Sequence, residues 1–236
     1  MEFYRYLQRQ GLGSRKECRQ LIELGLIKLN GTIENNYRRE IVEEQVSELI
    51  VRDVRWEPIT LPLCIMLHKP AQYETSHQPK HYLSVFSLLP PPFLRLGINA
   101  VGRLDADTTG LLLFTTDGQL VHTLTSPRQH IPKCYRVSLK HPIQGHFITQ
   151  LKTGVYLHDS REKIVPKSVD VLDSTTLLLT LTEGKYHQVK RMVAAASNRV
   201  VMLHRISLGP LSLGQLAQGE WRSLTTDEYQ QLCRGE

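Results

Sequence analysis

Apolar positions early in the chain repeat at helical spacing, and later ones gather into short strand-like runs. Cys18, Leu21 and Ile22 form a stripe behind Ser14-Arg15-Lys16-Glu17, where Ser and Glu stand three apart as in a capping box. This predicts a helix ending near Gly25, preceded by a shorter one through Phe3, Tyr4 and Leu7 that closes at Gly11 and Gly13. Leu26–Leu29 reads as a strand entering an Asn30-Gly31 turn, and Ile41–Val42 and Leu49–Val51 read as further strand material.

Trp56-Glu57-Pro58-Ile59-Thr60-Leu61-Pro62 breaks both patterns and predicts a linker. The expected division is residues 1–57, a linker at 58–62 and a larger domain at 63–236. In the larger domain, Leu63–Leu67, Leu111–Phe114, Tyr135–Leu139 and Thr176–Leu181 read as strands, with a fifth run at Val200–Leu203 following a helix over Gln188–Ala196. Pro90-Pro91-Pro92 reads as a loop boundary and Asp117-Gly118 as a turn. Leu224–Tyr229 combines capping-box spacing with a Leu224–Tyr229 staple. The expected class is α+β, with a mostly antiparallel, mixed-topology sheet and flanking helices.

Composition narrows the field. The chain has 236 residues, 41% hydrophobic and 22% charged, which excludes a disordered or collagenous protein. It lacks an 18-residue apolar run, and its start has no apolar signal core. Cys18, Cys64, Cys134 and Cys233 are scattered without a CxxC pair, so they are read as reduced thiols of a cytoplasmic protein. The net charge of +6 says less than its distribution: residues 1–39 carry +4, residues 40–57 carry −4, and the remainder +6. Arg15, Lys16 and Arg19 lie off the apolar stripe of their helix, which fits either an RNA-binding face or a solvated one.

The densest polar cluster is Gly102-Arg103-Leu104-Asp105-Ala106-Asp107-Thr108-Thr109-Gly110. Three readings stay open on spacing alone: a surface turn with a local Arg–Asp pair, a catalytic loop, or a metal site. The calcium-loop ligand pattern is missing. A second cluster, Glu183-Gly184-Lys185-Tyr186-His187-Gln188-Val189-Lys190-Arg191-Met192, occupies a strand-to-helix transition, where a cation beside a carboxylate would keep it ionised. Lys133-Cys134-Tyr135 offers an aromatic face. No GxGxxG follows a strand and no Walker A sequence is present, which disfavours a nucleotide-binding fold.

Residues Gly13–Gly31 resemble the S4 RNA-binding domain, although Phe3-Tyr4-Arg5-Tyr6-Leu7 departs from its usual entrance. The resemblance implies RNA contacts at Arg15, Lys16, Arg19, Lys28 and Asn30. Gly102-Arg103-Leu104-Asp105, with Thr108 to Gly118, resembles the signature of a pseudouridine synthase. The Lys133–Tyr135 and Glu183–Met192 clusters match its later motifs, and Thr125-Ser126-Pro127-Arg128 and Leu203-His204-Arg205 add support. An S4 domain in front points to the branch acting on bacterial ribosomal RNA, most similar to its small-subunit (16S) members, with uridine 516 as the implied target. Alternatives are a large-subunit (23S) synthase or a noncatalytic RNA-binding assembly factor, with a carbohydrate-active enzyme behind them.

The resemblance implies that Asp105 is the essential carboxylate, Tyr135 stacks on the target base, and Lys190 pairs with Asp105. Arg103 would hold the RNA open. Arg191 is a lesser substitute for Lys190, while His187 and Asp107 have supporting places. No metal or other cofactor is implied, and the expected partner is 16S RNA or an assembling small subunit, met by a monomer. R15A/K16A/R19A should weaken RNA binding and flatten its salt dependence while the larger domain stays folded. An unchanged slope of log Kd against log salt would remove these residues from the RNA surface.

Overall fold

The computed structural model describes residues 1–157 and 162–234. Contacts divide the chain into two compact units, Met1–Leu63 with Leu89–Ile98, and Cys64–Leu88 with Asn99 onward.

In the first unit, helices α1 (Phe3–Arg9) and α2 (Arg15–Glu23) share a core with a four-stranded antiparallel sheet. Its strands β1 (Ile27–Leu29), β2 (Thr32–Ile33), β3 (Leu49–Val51) and β4 (Val54–Trp56) lie in the order β2-β1-β3-β4. The capping box forms: Ser14 N–H donates to Glu17 Oε2 at 2.7 Å, and Glu17 N–H to Ser14 Oγ at 3.4 Å. Asn30 and Gly31 both take positive φ, +49° and +79°, which gives the two-residue hairpin turn its right-handed match to the strands.

Three expectations change here. Ile41–Val42 is not a strand; Ile41 N–H reaches only Met1 O, at 2.7 Å, before a 3₁₀ turn at Glu43–Gln45. The 58–62 segment is docked, because the buried Gln10 amide donates to Ile59 O at 3.2 Å and accepts from Ile59 N–H at 2.6 Å. Pro90–Pro92 opens a short helix, α3 (Pro91–Arg95), since proline is tolerated in the first turn, where the missing N–H groups would have no helical partner. That helix packs with the first unit, although on sequence it falls within the larger domain: a Cβ on Gly11 would stand 2.5 Å from Pro92 O.

The second unit begins with β5 (Cys64–Lys69), then β6 (Tyr73–Glu74), β7 (Leu83–Ser84), β8 (Asn99–Ala100) and β9 (Thr109–Thr115). Helix α4 (Gly118–Thr125) follows, then β10 (Lys133–Leu139), α5 (Gly145–Thr153), β11 (Val155–Tyr156) and β12 (Lys163–Ile164). Next come β13 (Ser168–Val171), β14 (Thr176–Leu181), α6 (Gln188–Ala195) and β15 (Val200–Leu208). β16 (Leu211–Ser212), β17 (Trp221–Ser223) and α7 (Thr226–Arg234) complete the unit.

Its main sheet runs β13-β14-β10-β15-β9-β5-β17, and every neighbouring pair on this path is antiparallel except β15 with β9. β9 is buried from Gly110 onward, which explains its unbroken apolar run. Asp117-Gly118 is a helix start rather than a simple turn: Asp117 Oδ1 accepts from the N–H groups of Gln119 (2.9 Å) and Leu120 (3.1 Å) and so caps α4. α7 has the expected capping box, with Thr225 N–H donating to Glu228 Oε2 at 2.9 Å and Glu228 N–H to Thr225 Oγ1 at 3.2 Å. Leu224 and Tyr229 pack on the same core cluster. No described helix is long and apolar enough to cross a membrane.

The parallel seam is short and tight. It pairs His204 with Thr109 and Arg205 with Gly110, and a Cβ on Gly110 (φ +108°) would stand 2.2 Å from Arg205 O and 2.6 Å from its N. Gly110→Ala should destabilise the protein by about 3 kcal/mol or more, read by urea unfolding, because backbone atoms have no rotamer into which to retreat. Gly118→Ala, at a site with open space, serves as the mild control.

Candidate active site

The loop 102–109 enters the sheet at β9, and its backbone is held from beneath. Lys69 is fully buried, and its ammonium donates to the carbonyls of Pro70 (2.9 Å), Ala106 (3.2 Å) and Thr108 (2.8 Å). Burial pushes its pKa down to about 8, against the partly offsetting pull of Asp107 and Asp105. Gln72 N–H donates to Ala106 O at 2.7 Å, while Thr75 Oγ1 donates to Leu104 O at 2.9 Å and accepts from Leu104 N–H at 3.3 Å. These bonds satisfy the carbonyls of a loop that has no sheet partner, so its conformation is fixed.

The loop presents Asp105 to the end of α6. Lys190 Nζ donates to Asp105 Oδ2 at 3.1 Å and to Asp107 Oδ1 at 2.6 Å, and His187 Nε2 lies 3.5 Å from Asp105 Oδ1. Burial opposes the Lys190 charge, yet the two carboxylates prevail and raise its pKa. Burial likewise opposes the Asp107 charge, and Lys190 prevails there, holding Asp107 below the usual carboxylate range. The turn before α6 is braced by the buried Gln188, which donates to Glu183 Oε1 at 2.6 Å and accepts from Lys185 N–H at 2.7 Å. His187 takes a left-handed φ of +48° there and stacks on the exposed Tyr186, with ring centroids 3.8 Å apart.

A cleft of about 820 Å³ opens over these groups, lined by Asp105, Tyr135, His187, Arg103, Lys133 and Arg205 among others. Tyr135 is buried in β10, while Arg103 is exposed at the rim. Asp107 is not among the residues lining the cleft, and its side chain is 71% exposed. Arg191 turns elsewhere, donating from Nη1 to Tyr186 O at 3.2 Å. Asp105 and Tyr135, remote in sequence, thus line one cleft, while Lys190 reaches Asp105 without itself lining it. His187 stands closer to the carboxylate than its expected supporting place required. Sequence reasoning gave Lys69 no role and named Lys133 and Arg205 only as members of motifs; Lys69 could have been found as a lone cation closing an apolar strand just before Pro70.

The charged face of the first unit is built differently from its expected form. Arg19 lies over both Tyr4 (4.8 Å) and Tyr37 (4.5 Å), while Arg15 and Arg5 approach Tyr4 and Arg38 approaches Tyr37. The departure at Phe3-Tyr4-Arg5 therefore supplies the ring that gathers these cations. Lys28 is paired with Asp53 at 2.8 Å. Asn30 spends its amide on the 45–48 loop, donating to Gln45 O at 2.9 Å and accepting from Ser47 and Glu48 N–H groups at 2.9 and 3.1 Å. Arg15 and Lys16 are exposed.

Among the described residues, no group of three or more His, Cys, Asp or Glu side chains could hold a metal ion. The buried thiols of Cys18 and Cys64 are pushed up by burial to about 11 and about 12, which keeps them protonated.

Comparison with known proteins gives the class of this fold and site. The family model described as RNA pseudouridylate synthase matches residues 64–195, and that of the S4 domain matches residues 5–46. The chain belongs to the RNA pseudouridylate synthase family and is an RNA pseudouridine synthase preceded by an S4 domain. It is 35% identical to the ribosomal small subunit pseudouridine synthase A of Pasteurella multocida, over 91% of this chain and 92% of that one. An uncharacterized RNA pseudouridine synthase of Bacillus subtilis is 38% identical over 98% of both chains. A crystal structure of a pseudouridylate synthase matches with a TM-score of 0.69 at 33% identity, covering 98% of this chain and 99% of that one.

Lys190→Met should raise the Asp107 pKa from its lowered value, because only a backbone N–H and His187 then remain to oppose burial. Carboxyl-carbon NMR titration reads this directly, and K190R should keep the value low. An Asp107 that titrates unchanged in K190M would show that the 2.6 Å contact contributes little in solution.

Proposed function

We propose that the enzyme isomerises one uridine of 16S ribosomal RNA, uridine 516, to pseudouridine in the cytoplasm, acting as a monomer. The observation that carries the chemistry is the Asp105 carboxylate, which accepts from Lys190 Nζ at 3.1 Å in a cleft it shares with Tyr135. The small-subunit target is supported by the names of the relatives from Pasteurella multocida and Vibrio cholerae, the latter 38% identical over 94% of this chain.

The uridine leaves its stack and enters the cleft, where the Tyr135 ring offsets part of the unstacking cost. Arg103, exposed at the rim, holds the RNA open around the displaced nucleotide. Asp105 attacks the sugar C1′ or removes the 2′ proton, and either route detaches the base at N1. The base rejoins C1′ through C5, and the C5 proton leaves with help from the Tyr135 hydroxyl. Lys190 aims Asp105 through its hydrogen bond, Asp107 and His187 hold that arrangement, and Arg191 braces the turn. Arg15, Lys16 and Arg19 grip RNA from the S4 domain, with Lys28 and Asn30 supporting the strand and loop beside them. Nothing in this sequence of steps changes oxidation state, and no metal or cofactor enters it.

Pseudouridine mapping of ribosomal RNA, from cells with and without this gene, tests the reading. One 16S site should vanish, return with the wild-type gene and stay absent with D105N. A site lost from 23S RNA instead would overturn the target, and full restoration by D105N would overturn the catalytic assignment.

A further inference from the structure

The floor of the cleft holds two cations that the steps above do not use. Arg205 on β15 lies directly opposite Tyr135 on β10 in an antiparallel pair, so both side chains stand on the same face of the sheet. Lys133, two residues before Tyr135 on β10, shares that face. The β15 register skips Ile206 at this point, a bulge that turns Arg205 and Leu208 together toward the cleft. All three of Lys133, Tyr135 and Arg205 line the cleft with Asp105.

Neither cation is neutralised. Arg205 is 2% exposed; its Nε donates to Leu111 O at 2.7 Å, but its buried Nη2 has no hydrogen-bond partner among the described residues. Among the described residues Lys133 donates only to Ile131 O, at 2.8 Å, and burial together with the neighbouring Arg205 pushes its pKa down to about 8. The carboxylates on the same cleft are committed elsewhere: Asp105 to Lys190 and His187, Glu183 to Lys185 and Gln188, Glu74 to the N–H groups of Lys80, His81 and Tyr82. A buried guanidinium with an idle arm is costly unless something negative arrives to meet it.

The reaction makes such a partner. When the C1′–N1 bond breaks, its electron pair stays on the base, which becomes a uracil anion with its charge spread over N1 and the two carbonyl oxygens. C5 then bonds to C1′, N1 takes up a proton and the C5 proton departs, so atoms and charge balance. Both possible roles of Asp105 pass through this detached anion. RNA phosphates, in contrast, have Arg103 at the rim, whereas what reaches the floor beside Tyr135 is the flipped base.

We propose that Lys133 and Arg205 form a cationic floor that binds the carbonyl oxygens of the detached uracil anion and holds it while it turns from N1 to C5. This rests on the pseudouridine synthase chemistry proposed above. The pair acts as a preorganised charge receptor, strongest at the moment the negative charge appears.

Single-turnover kinetics with 16S RNA tests it. K133M and R205Q should each lower the rate constant by about 10²-fold, a typical cost of losing one such donor, with RNA Kd within about twofold of wild type. With 5-fluorouridine at the target, followed as consumption of that nucleoside, the loss should shrink by about tenfold, because fluorine stabilises the leaving anion and less help is needed. R205K and K133R should recover much of the rate. Equal losses on both RNAs would overturn the proposal, as would losses that appear wholly as weaker RNA binding, the mark of a phosphate contact. Thermal unfolding checks each variant; if R205Q does not fold, the partly exposed Lys133 decides through K133M alone. Wild-type enzyme that leaves 16S uridines untouched would sink the functional reading too, whereas normal wild-type turnover with a substrate-independent K133M defect sinks only this one.

Discussion

The second unit depends on one close approach, that of β9 and β15 at Gly110. Every other junction along the main sheet is an antiparallel pairing, but here two residue pairs join the β13-β14-β10-β15 half to the β9-β5-β17 half. The halves carry different parts of the site. The Asp105 loop feeds β9, whereas Tyr135 stands on β10 and Lys190 on the helix between β14 and β15. Only a residue without Cβ lets the backbones close at that point, and Arg205 adds a side-chain bond to Leu111 O across the same seam. The distance between carboxylate and tyrosine is thus a consequence of main-chain packing, which bends far less readily than a side-chain contact would.

Charge then sorts itself across the cleft. Asp105 and Asp107 share one ammonium from Lys190 on one side, while Lys69 neutralises only backbone dipoles beneath the loop. Lys133 and Arg205 occupy the floor without an anionic partner among the described residues. In a low-dielectric pocket this separation is worth more than the same charges in water, and it costs no reorganisation when the substrate's charge develops. A cleft whose cations were all paired would hold the base no differently before and after the bond breaks.

How much of this could be read from sequence differed by kind of signal. Periodicity and caps were legible: the Ser14–Glu17 box, the strands at 111–114 and 176–181, and the helix after His187 stand where local pattern placed them. Local pattern failed where tertiary packing chose between options of similar cost. Pro91 and Pro92 were equally able to end a loop or start a helix, and Ile41 is buried without a strand to belong to. The S4 and synthase motifs brought Asp105, Tyr135 and Lys190 into one expectation, but resemblance said nothing of Asn30's commitment to the 45–48 loop. Arg205 was visible as part of a motif, yet its burial and idle Nη2 follow from a sheet register and a bulge that no one-dimensional pattern encodes.

An isomerase that detaches its base faces a problem a hydrolase does not. The leaving group must be stabilised enough to depart, yet must not diffuse away or settle into a state too stable to return. A single strong ion pair would answer the first need and defeat the second. Lys133 is a softer donor than an ordinary lysine, because burial first and Arg205 second push its pKa down to about 8. Beneath an aromatic face that accepts the uracil ring without fixing its rotation, such a floor permits the turn from N1 to C5 while keeping the base within bonding distance of C1′. On the proposed assignment, two separate donors rather than one tight ion pair hold the departing base without trapping it.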